Sequence, residues 1–312
     1  MDMHAQTDTA ADWPPPLPDS GGFVAPPVPG ASAAVAAFVH AVVRDPAGGL
    51  RVVGRGIWLA GIAALCVPLH MGFRAAGRQS PWARRFLAWA ARACGIRVRS
   101  IGTPVARDVF FIANHLSWTD ALILGGQTGT AFVAQDGIAI WPGLNFLCRL
   151  NDTIFIDRSD RMGVTKQIAA MRSQFAAGER LALFPEGGCG DGRRLLPFKA
   201  PLFAMLIAPK PATQSAPVPP GAAIQPPQPQ AVIQPVVIDP DDAGRNLAWV
   251  GMETGAANAW RLLARPGTWE ARVHFLGAID PAHFADRKAL ARETRIRIAA
   301  KLSETLGGRP IH

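Results

Sequence analysis

From residue 97 onward, short apolar runs alternate with longer segments whose apolar residues recur at helical spacing. The short runs, rich in β-branched and aromatic residues, predict strands over 97–101, 109–112, 131–134, 153–156, 181–184, 233–238 and 271–276. The longer segments predict helices over 117–125, 162–177, 199–206, 256–263 and 286–306. Alternating strands and helices predict an α/β fold with a mixed, mostly parallel sheet flanked by helices.

The first 96 residues follow a different pattern. Residues 1–50 are expected to form a disordered, Pro-rich tail and a lead-in, because the tail has too few apolar residues to bury a core. Segment 56–73 has no formal charge, and as a helix it would extend about 27 Å, close to the bilayer core of about 30 Å. Segment 81–95 combines arginines with three aromatic residues, which predicts an amphipathic helix in the headgroup region. We therefore expect membrane-anchoring helices over 51–96 and one main domain over 97–312.

The anchor has an alternative interpretation. Pro68 and His70 interrupt the apolar segment, so a buried core helix remains open. If the segment crosses a bilayer, the arginines that follow it place the main domain on the cytoplasmic side. Within that domain, residues 209–230 contain eight prolines and no aromatic residue, which predicts a flexible inserted loop rather than a domain boundary.

Composition narrows the class of partner. Hydrophobic residues make up 49% of the chain, charged residues only 18%, and the net charge is +9. A basic and apolar protein favours an anionic membrane surface or a phosphate-bearing substrate. Nucleic acid is disfavoured, because no binding motif and no basic stretch interleaved with aromatic residues occurs. The four cysteines lack metal-ligand spacing, so we expect no metal site and a reducing compartment.

Segment 109–124 carries the strongest candidate chemistry, because Asn114, His115 and Asp120 stand where a predicted strand gives way to a helix. Asp120 can orient the imidazole of His115, whose other nitrogen can then take a proton from a hydroxyl. The competing interpretation is a capping box, in which Ser117 caps the helix and Asp120 reaches back to its amide. In that case His115 would be a solvated loop residue, and Asp120 is not expected to fulfil both roles completely.

Further polar residues follow later strands. Arg158 comes at the end of the strand predicted over 153–156, where a guanidinium can bind a phosphate, although exposed Asp-Arg pairs are often of little consequence. Glu186 and Gly187 begin a Gly-rich stretch whose amides can surround an anion, or which is an ordinary loop. Lys199 opens the next predicted helix and can reach the same anion.

Taken in order, the motifs NH-x4-D, FIDR, FPEG and FK, followed by a proline in an apolar strand, resemble the glycerolipid acyltransferase family, specifically bacterial 1-acyl-sn-glycerol-3-phosphate acyltransferases. The resemblance covers about residues 52–306. It implies that His115 is a general base and Asp120 its orienting acid. It also implies an acceptor site formed by five residues, one next to His115 and four from the later motifs: Asn114, Arg158, Glu186, Gly187 and Lys199.

The same resemblance implies a membrane-bound transferase of phospholipid biosynthesis at the bacterial inner membrane. Its acyltransferase domain would face the cytoplasm and move a fatty acyl group to the sn-2 hydroxyl of lysophosphatidate. The expected partners are a lysophospholipid acceptor, membrane lipid, and acyl-CoA or acyl-carrier protein as the donor. No further cofactor is expected, because a hydroxyl activated by a base can attack a thioester directly.

One departure from the family pattern concerns the acceptor. The family's third motif usually continues FPEG-Thr, often with Arg or another Thr next, whereas Gly188 and Cys189 stand here. A hydroxyl and a possible cation are therefore missing, and Arg193 or Arg194 is a candidate to compensate. Lyso-ornithine lipid is the alternative acceptor. A protein that binds anionic lipid without catalysis is the alternative from another class.

Overall fold

The computed structural model describes residues 31–135, 146, 148–156, 180–206, 231–251 and 253–311. Its strands are β1 (Ile96–Ile101), β2 (Val109–Ala113), β3 (Ala131–Gln135), β4 (Ile154–Ile156), β5 (Arg180–Leu183), β6 (Val232–Pro240) and β7 (Trp269–Phe275). Its α-helices are α1 (Ala31–Arg44), α2 (Pro46–Ala75), α3 (Trp82–Ala93), α4 (Thr119–Thr128), α5 (Asp242–Arg245), α6 (Gly255–Ala264) and α7 (Arg287–Thr305). Two short 3-10 helices, Ala200–Met205 and Pro281–His283, complete the described elements.

The strands form one seven-stranded sheet in the order β1-β7-β6-β2-β5-β3-β4. Every neighbouring pair is parallel except β6 and β7, which are antiparallel. The predicted mixed, mostly parallel α/β sheet is therefore confirmed, and each of the seven predicted strands lies within about two residues of an observed one. Parallel pairing brings the carboxyl ends of β2, β5 and β6 to the same edge of the sheet.

Strand β2 lies at the centre of the sheet, and all five of its residues are buried. Val109, Phe111 and Ala113 face the core formed with α3, α4 and α6, whereas Phe110 and Ile112 face the core formed with α7. This alternation follows from the two-residue period of a strand. Burial of both faces explains why the segment is a continuous apolar run.

The predicted helices over 117–125, 256–263 and 286–306 are confirmed as α4, α6 and α7. The segment predicted over 199–206 forms a tighter 3-10 helix with a proline in its first turn. Several predictions lie outside the described residues: the Pro-rich tail up to residue 30, the helix over 162–177, the loop over 209–230, and Arg158.

The lead-in before residue 50 differs from the expectation, because residues 31–44 form helix α1. This segment is rich in alanine, the best helix former, and contains no proline or glycine. Helix α2 then begins directly, with Pro46 in its first turn and the Asp45 carboxylate accepting a hydrogen bond from the Gly48 amide at 2.8 Å.

Helix α2 has one face on the protein and one exposed apolar face. Arg51 and Arg55 donate hydrogen bonds to carbonyl groups at the end of α6, where the helix leaves its last carbonyls without partners. Further along α2, Ile62 and Cys66 pack against α3. Much of the remaining helix surface is apolar and exposed, with large side chains at Leu50, Val53, Ile57, Trp58, Leu65 and Met71. By length and composition, α2 can cross a membrane.

Candidate active site

His115 lies in the short connection between β2 and α4, two residues after the strand ends, so a central strand and a helix fix its position. Its imidazole stacks on the ring of Phe184 at the end of β5, with 4.3 Å between the ring centroids and 17° between the planes. The His115 side chain is 23% exposed, while the Asp120 side chain is only 2% exposed. The imidazole therefore has one edge within reach of a substrate and one edge inside the protein.

Asp120 holds the inner edge of this imidazole. Its Oδ2 atom lies 2.8 Å from His115 Nδ1 and also accepts hydrogen bonds from the amides of Leu116 at 2.5 Å and Ser117 at 3.0 Å. An ionised carboxylate only accepts hydrogen bonds, so Nδ1 carries the proton and Nε2 is left with a lone pair. One oxygen thus orients His115 and also binds back to the Ser117 amide, so Asp120 does fulfil both roles. The other half of the predicted capping box is wrong, because Trp118 is the N-cap of α4 and no side chain among the described residues caps this helix.

Cys189 also lies close enough to the His115 imidazole to act on its pKa. Burial lowers the pKa of His115, but the contacts with Cys189 and Asp120 raise it by more, so the net pKa is above its ordinary value. The imidazole is accordingly a stronger base than free histidine.

Glu186 approaches His115 from the opposite side, through the main chain. Its Oε1 accepts the His115 amide hydrogen at 2.8 Å, and its Oε2 accepts the Leu196 amide hydrogen at 2.7 Å. The residue is only 5% exposed. Burial raises the pKa of Glu186 to about 7, although its two amide hydrogen bonds act in the opposite direction.

The Gly-rich loop after Glu186 closes over this arrangement. Gly187 has a φ of 72°, a left-handed conformation that glycine adopts without strain. The Gly190 amide donates a hydrogen bond to the His115 carbonyl oxygen at 2.7 Å. A Cβ atom at Gly188 would meet no atom within 4 Å, so this position borders open space. Arg193 and Arg194 are exposed, and both of their amides bind the Asp191 carboxylate.

The remaining predicted site residues occupy different positions. The buried side-chain amide of Asn114 makes two hydrogen bonds to the main chain of Ile238 in β6. It donates to the Ile238 carbonyl at 2.9 Å and accepts from the Ile238 amide at 2.8 Å. Asn114 thereby ties the end of β2 to β6 and supports the turn. Lys199 is exposed, and its amide donates to the Pro185 carbonyl at 2.9 Å, which holds the start of the 3-10 helix near the Gly-rich loop.

Sequence reasoning missed two contributors to the site. It gave no separate role to Phe184, the aromatic platform under His115, although its place at a strand end before Pro185 was the available signal. It also did not foresee that a main-chain carbonyl anchors the segment after His115: the Trp249 amide donates to the Leu116 carbonyl at 2.8 Å. A main-chain contact between residues so far apart leaves no pattern in a single sequence.

Comparison with known proteins supports the chemistry expected of this site. A sequence profile described as Acyltransferase matches residues 96–239. The chain is 32% identical over 241 residues to the lyso-ornithine lipid O-acyltransferase of Rhizobium meliloti, covering 72% of this chain and 78% of that protein. It is 30% identical to the corresponding Brucella abortus protein, covering 74% and 86% respectively. A 1-acyl-sn-glycerol-3-phosphate acyltransferase of Neisseria gonorrhoeae is 32% identical over 38% of this chain and 47% of its own length.

The fold has a counterpart among solved structures. The 1-acyl-sn-glycerophosphate acyltransferase of Thermotoga maritima aligns with 84% of this chain and 98% of its own chain, with a TM-score of 0.56. At 19% sequence identity this likeness concerns the fold alone. The relatives matched over most of their length, together with the profile, decide the assignment. The chain therefore belongs to the glycerolipid acyltransferase family, as a lysolipid acyltransferase.

Proposed function

We propose that this protein transfers a fatty acyl group from a thioester donor to the hydroxyl of lyso-ornithine lipid. The match to two lyso-ornithine lipid O-acyltransferases over nearly three quarters of the chain carries this choice of acceptor. The donor is acyl-CoA or acyl-carrier protein, since either presents the thioester that the reaction requires.

In the proposed reaction, His115 and Asp120 act as one unit. The acceptor hydroxyl attacks the thioester carbonyl carbon while His115 Nε2 takes its proton, and the donor leaves as a thiol. Asp120 keeps the proton on Nδ1 and stabilises the imidazolium that forms. Direct attack forms the new ester without an acyl-enzyme intermediate. The C–S bond breaks to give a thiolate, which takes the proton from His115 and so becomes the released thiol.

The loop beside His115 supports an acceptor other than a phosphomonoester. Gly188 offers no side chain, and Cys189 carries a thiol group where the family pattern usually has a hydroxyl and often a cation. A phosphate binds best to several charged or hydroxyl donors that converge on it. Within the described part of this loop, the cations are Arg193 and Arg194, which lie four residues or more beyond Cys189 on exposed positions.

Lysophosphatidate, giving phosphatidate, is the second candidate acceptor. The ordered motifs favour it, and so does the similarity to the Neisseria gonorrhoeae enzyme over 38% of this chain. Both acceptors present a hydroxyl to the same base, so the choice between them changes the pathway and not the chemistry. For either, we place the enzyme at the bacterial inner membrane, with helix α2 in the lipid and the catalytic domain on the cytoplasmic side.

The test uses membranes from cells that express the wild-type chain, His115→Ala, or His283→Ala as a matched control at an exposed histidine. Each membrane receives a labelled acyl thioester with lyso-ornithine lipid or with lysophosphatidate, and the labelled lipid product is quantified. We expect product from lyso-ornithine lipid that falls at least about 10²-fold in His115→Ala and persists in His283→Ala. Product from lysophosphatidate alone would reassign the acceptor. Full activity of His115→Ala would refute the assigned base.

A further inference from the structure

The contacts of Glu186 point to a role that the sequence motif does not indicate. We propose that Glu186 is a positioning residue, which fixes His115 through the main chain and does not bind the lipid acceptor. The inference rests on the proposed function, because it takes His115 to be the base. It goes beyond that function by separating the residues that hold the base from those that select the acceptor.

The geometry joins two loops through one carboxylate. Oε1 accepts the His115 amide hydrogen from the loop after β2, and Oε2 accepts the Leu196 amide hydrogen from the far side of the Gly-rich loop. The Gly190 amide, within the same loop, donates to the His115 carbonyl. Both main-chain polar groups of His115 are therefore bound to the segment that begins at Glu186. Asp120 and Phe184 fix its ring, so the imidazole has little freedom to move.

An acceptor contact fits this carboxylate poorly. Glu186 is 5% exposed, and each of its oxygens already receives a hydrogen bond from the main chain. A buried carboxylate would also repel the phosphate of lysophosphatidate or the carboxylate of an ornithine headgroup. Position 188 differs from Glu186, because a side chain introduced there would border open space and would be placed to contact a headgroup.

The brace depends on the charge of Glu186. The ionised carboxylate offers an acceptor oxygen to each of the two amides. In the protonated acid one oxygen carries a hydrogen, so one amide would face a donor instead of an acceptor. The charged groups that act on Glu186 are His115, which favours its ionised form, and Asp120, which opposes it. Because the pKa of Glu186 is about 7, we expect the brace to be complete above that pH and to loosen below it.

The first test compares Glu186→Gln and Glu186→Asp with wild type in the acyl-transfer assay, varying the lysolipid acceptor. Gln keeps the shape but replaces one accepting oxygen with a donor, and Asp keeps the charge but cannot reach both amides. We expect kcat to fall about tenfold or more in both variants, the scale for losing a hydrogen bond to a charged group, with acceptor KM within about twofold. A raised acceptor KM with unchanged kcat would overturn the proposal and make Glu186 an acceptor contact.

Asp241→Asn provides the matched control. Asp241 also joins two amides with one carboxylate, those of Gly244 at 2.7 Å and Glu270 at 2.9 Å, but it makes no contact with His115. We expect Asp241→Asn to lower thermal stability and to leave kcat unchanged. If it lowers kcat as much as Glu186→Gln at equal loss of stability, the effect is general destabilisation and the positioning role is wrong.

A second measurement does not depend on activity. Hydrogen–deuterium exchange of the purified wild-type chain is followed at the His115 and Leu196 amides between pH 5.5 and 8.5, corrected for intrinsic exchange rates. We expect protection at both amides to fall together below about pH 7, and to be low at every pH in Glu186→Gln. Constant protection in the wild type would refute the brace. An absence of acyl transfer to either acceptor, with pH-dependent protection intact, would instead refute the proposed function.

Discussion

Replacing Asp120 with asparagine tests the contact on which the chemistry of the site depends. The side chain is 2% exposed, and its Oδ2 atom binds His115 Nδ1 together with the amides of Leu116 and Ser117. In Asp120→Asn, the amide oxygen can continue to accept from the two main-chain groups. That oxygen takes the place of Oδ2 and so also keeps the proton on Nδ1, but the neutral amide no longer stabilises the imidazolium that forms when His115 takes the substrate proton. General-base catalysis is therefore largely lost.

The expected effects on activity and on stability are of different size. Loss of general-base catalysis lowers kcat by about 10²–10⁴-fold. The folded state keeps its hydrogen bonds, but those to residue 120 are no longer charge-assisted, so the free energy of unfolding falls by about 1.5–3 kcal/mol. Because Asp120 raises the pKa of His115, the variant's residual base has a lower pKa. A base acts in its neutral form, so the acidic limb of the residual activity shifts to lower pH.

The assay measures kcat across pH for wild type and Asp120→Asn in detergent-solubilised membranes, alongside the thermal melting temperature of each purified protein. Asp191→Asn serves as the control, since Asp191 is also a loop carboxylate bound by two amides but has no contact with His115. The reasoning fails if Asp120→Asn retains more than about a tenth of wild-type kcat while its melting temperature is unchanged. It also fails if the acidic limb of its profile moves to higher pH.

Two further predictions follow from neighbouring contacts. Because Cys189 lies close enough to His115 to act on its pKa, a bulky group on this thiol would obstruct the base, and alkylation with N-ethylmaleimide should remove at least about nine tenths of wild-type activity. Cys189→Ala should keep its activity after the same treatment; quantitative labelling of Cys189 without inhibition would contradict this. Asn114→Ala leaves the buried amide and carbonyl of Ile238 unpaired, so the free energy of unfolding should fall by at least about 2 kcal/mol, measured by thermal or urea denaturation. Thr294→Ala, which removes the bond from a buried hydroxyl to the Leu290 carbonyl within α7, should cost less.

The strands were predictable because burial on one or both faces leaves a direct signal in the sequence. Strand β2 appears as an uninterrupted apolar run, and the structure covers it on both faces. Helix α1 was missed because it adjoins a Pro- and Gly-rich tail, and the composition of the tail concealed a short Ala-rich segment with high helix propensity. The 3-10 helix at Ala200–Met205 was placed correctly but not identified as 3-10, since the two helix types share an apolar spacing over so short a length.

The candidate site was predictable only where its chemistry lies within a few residues. The spacing of His115 and Asp120 in one motif predicted the dyad beside a capping box as the alternative, and their atoms do meet. The brace from Glu186 crosses 71 residues, and the pairing of Asn114 with Ile238 crosses 124. Both join a side chain to a distant main chain, an arrangement that requires no particular residue type on the main-chain side. Such contacts can be derived only from the register of the sheet.

Under the proposed mechanism, the arrangement around His115 separates the chemistry from the choice of acceptor. The groups that fix the base point inward and are buried or committed to the main chain: Asp120, Glu186 and the amide of Gly190. Position 188, by contrast, points into open space and can change without disturbing any of these contacts. A substitution there alters what a headgroup meets while the dyad keeps its geometry. One fold can therefore acylate the hydroxyls of chemically different lysolipids, because the loop that holds the base also carries positions that do not participate in holding it.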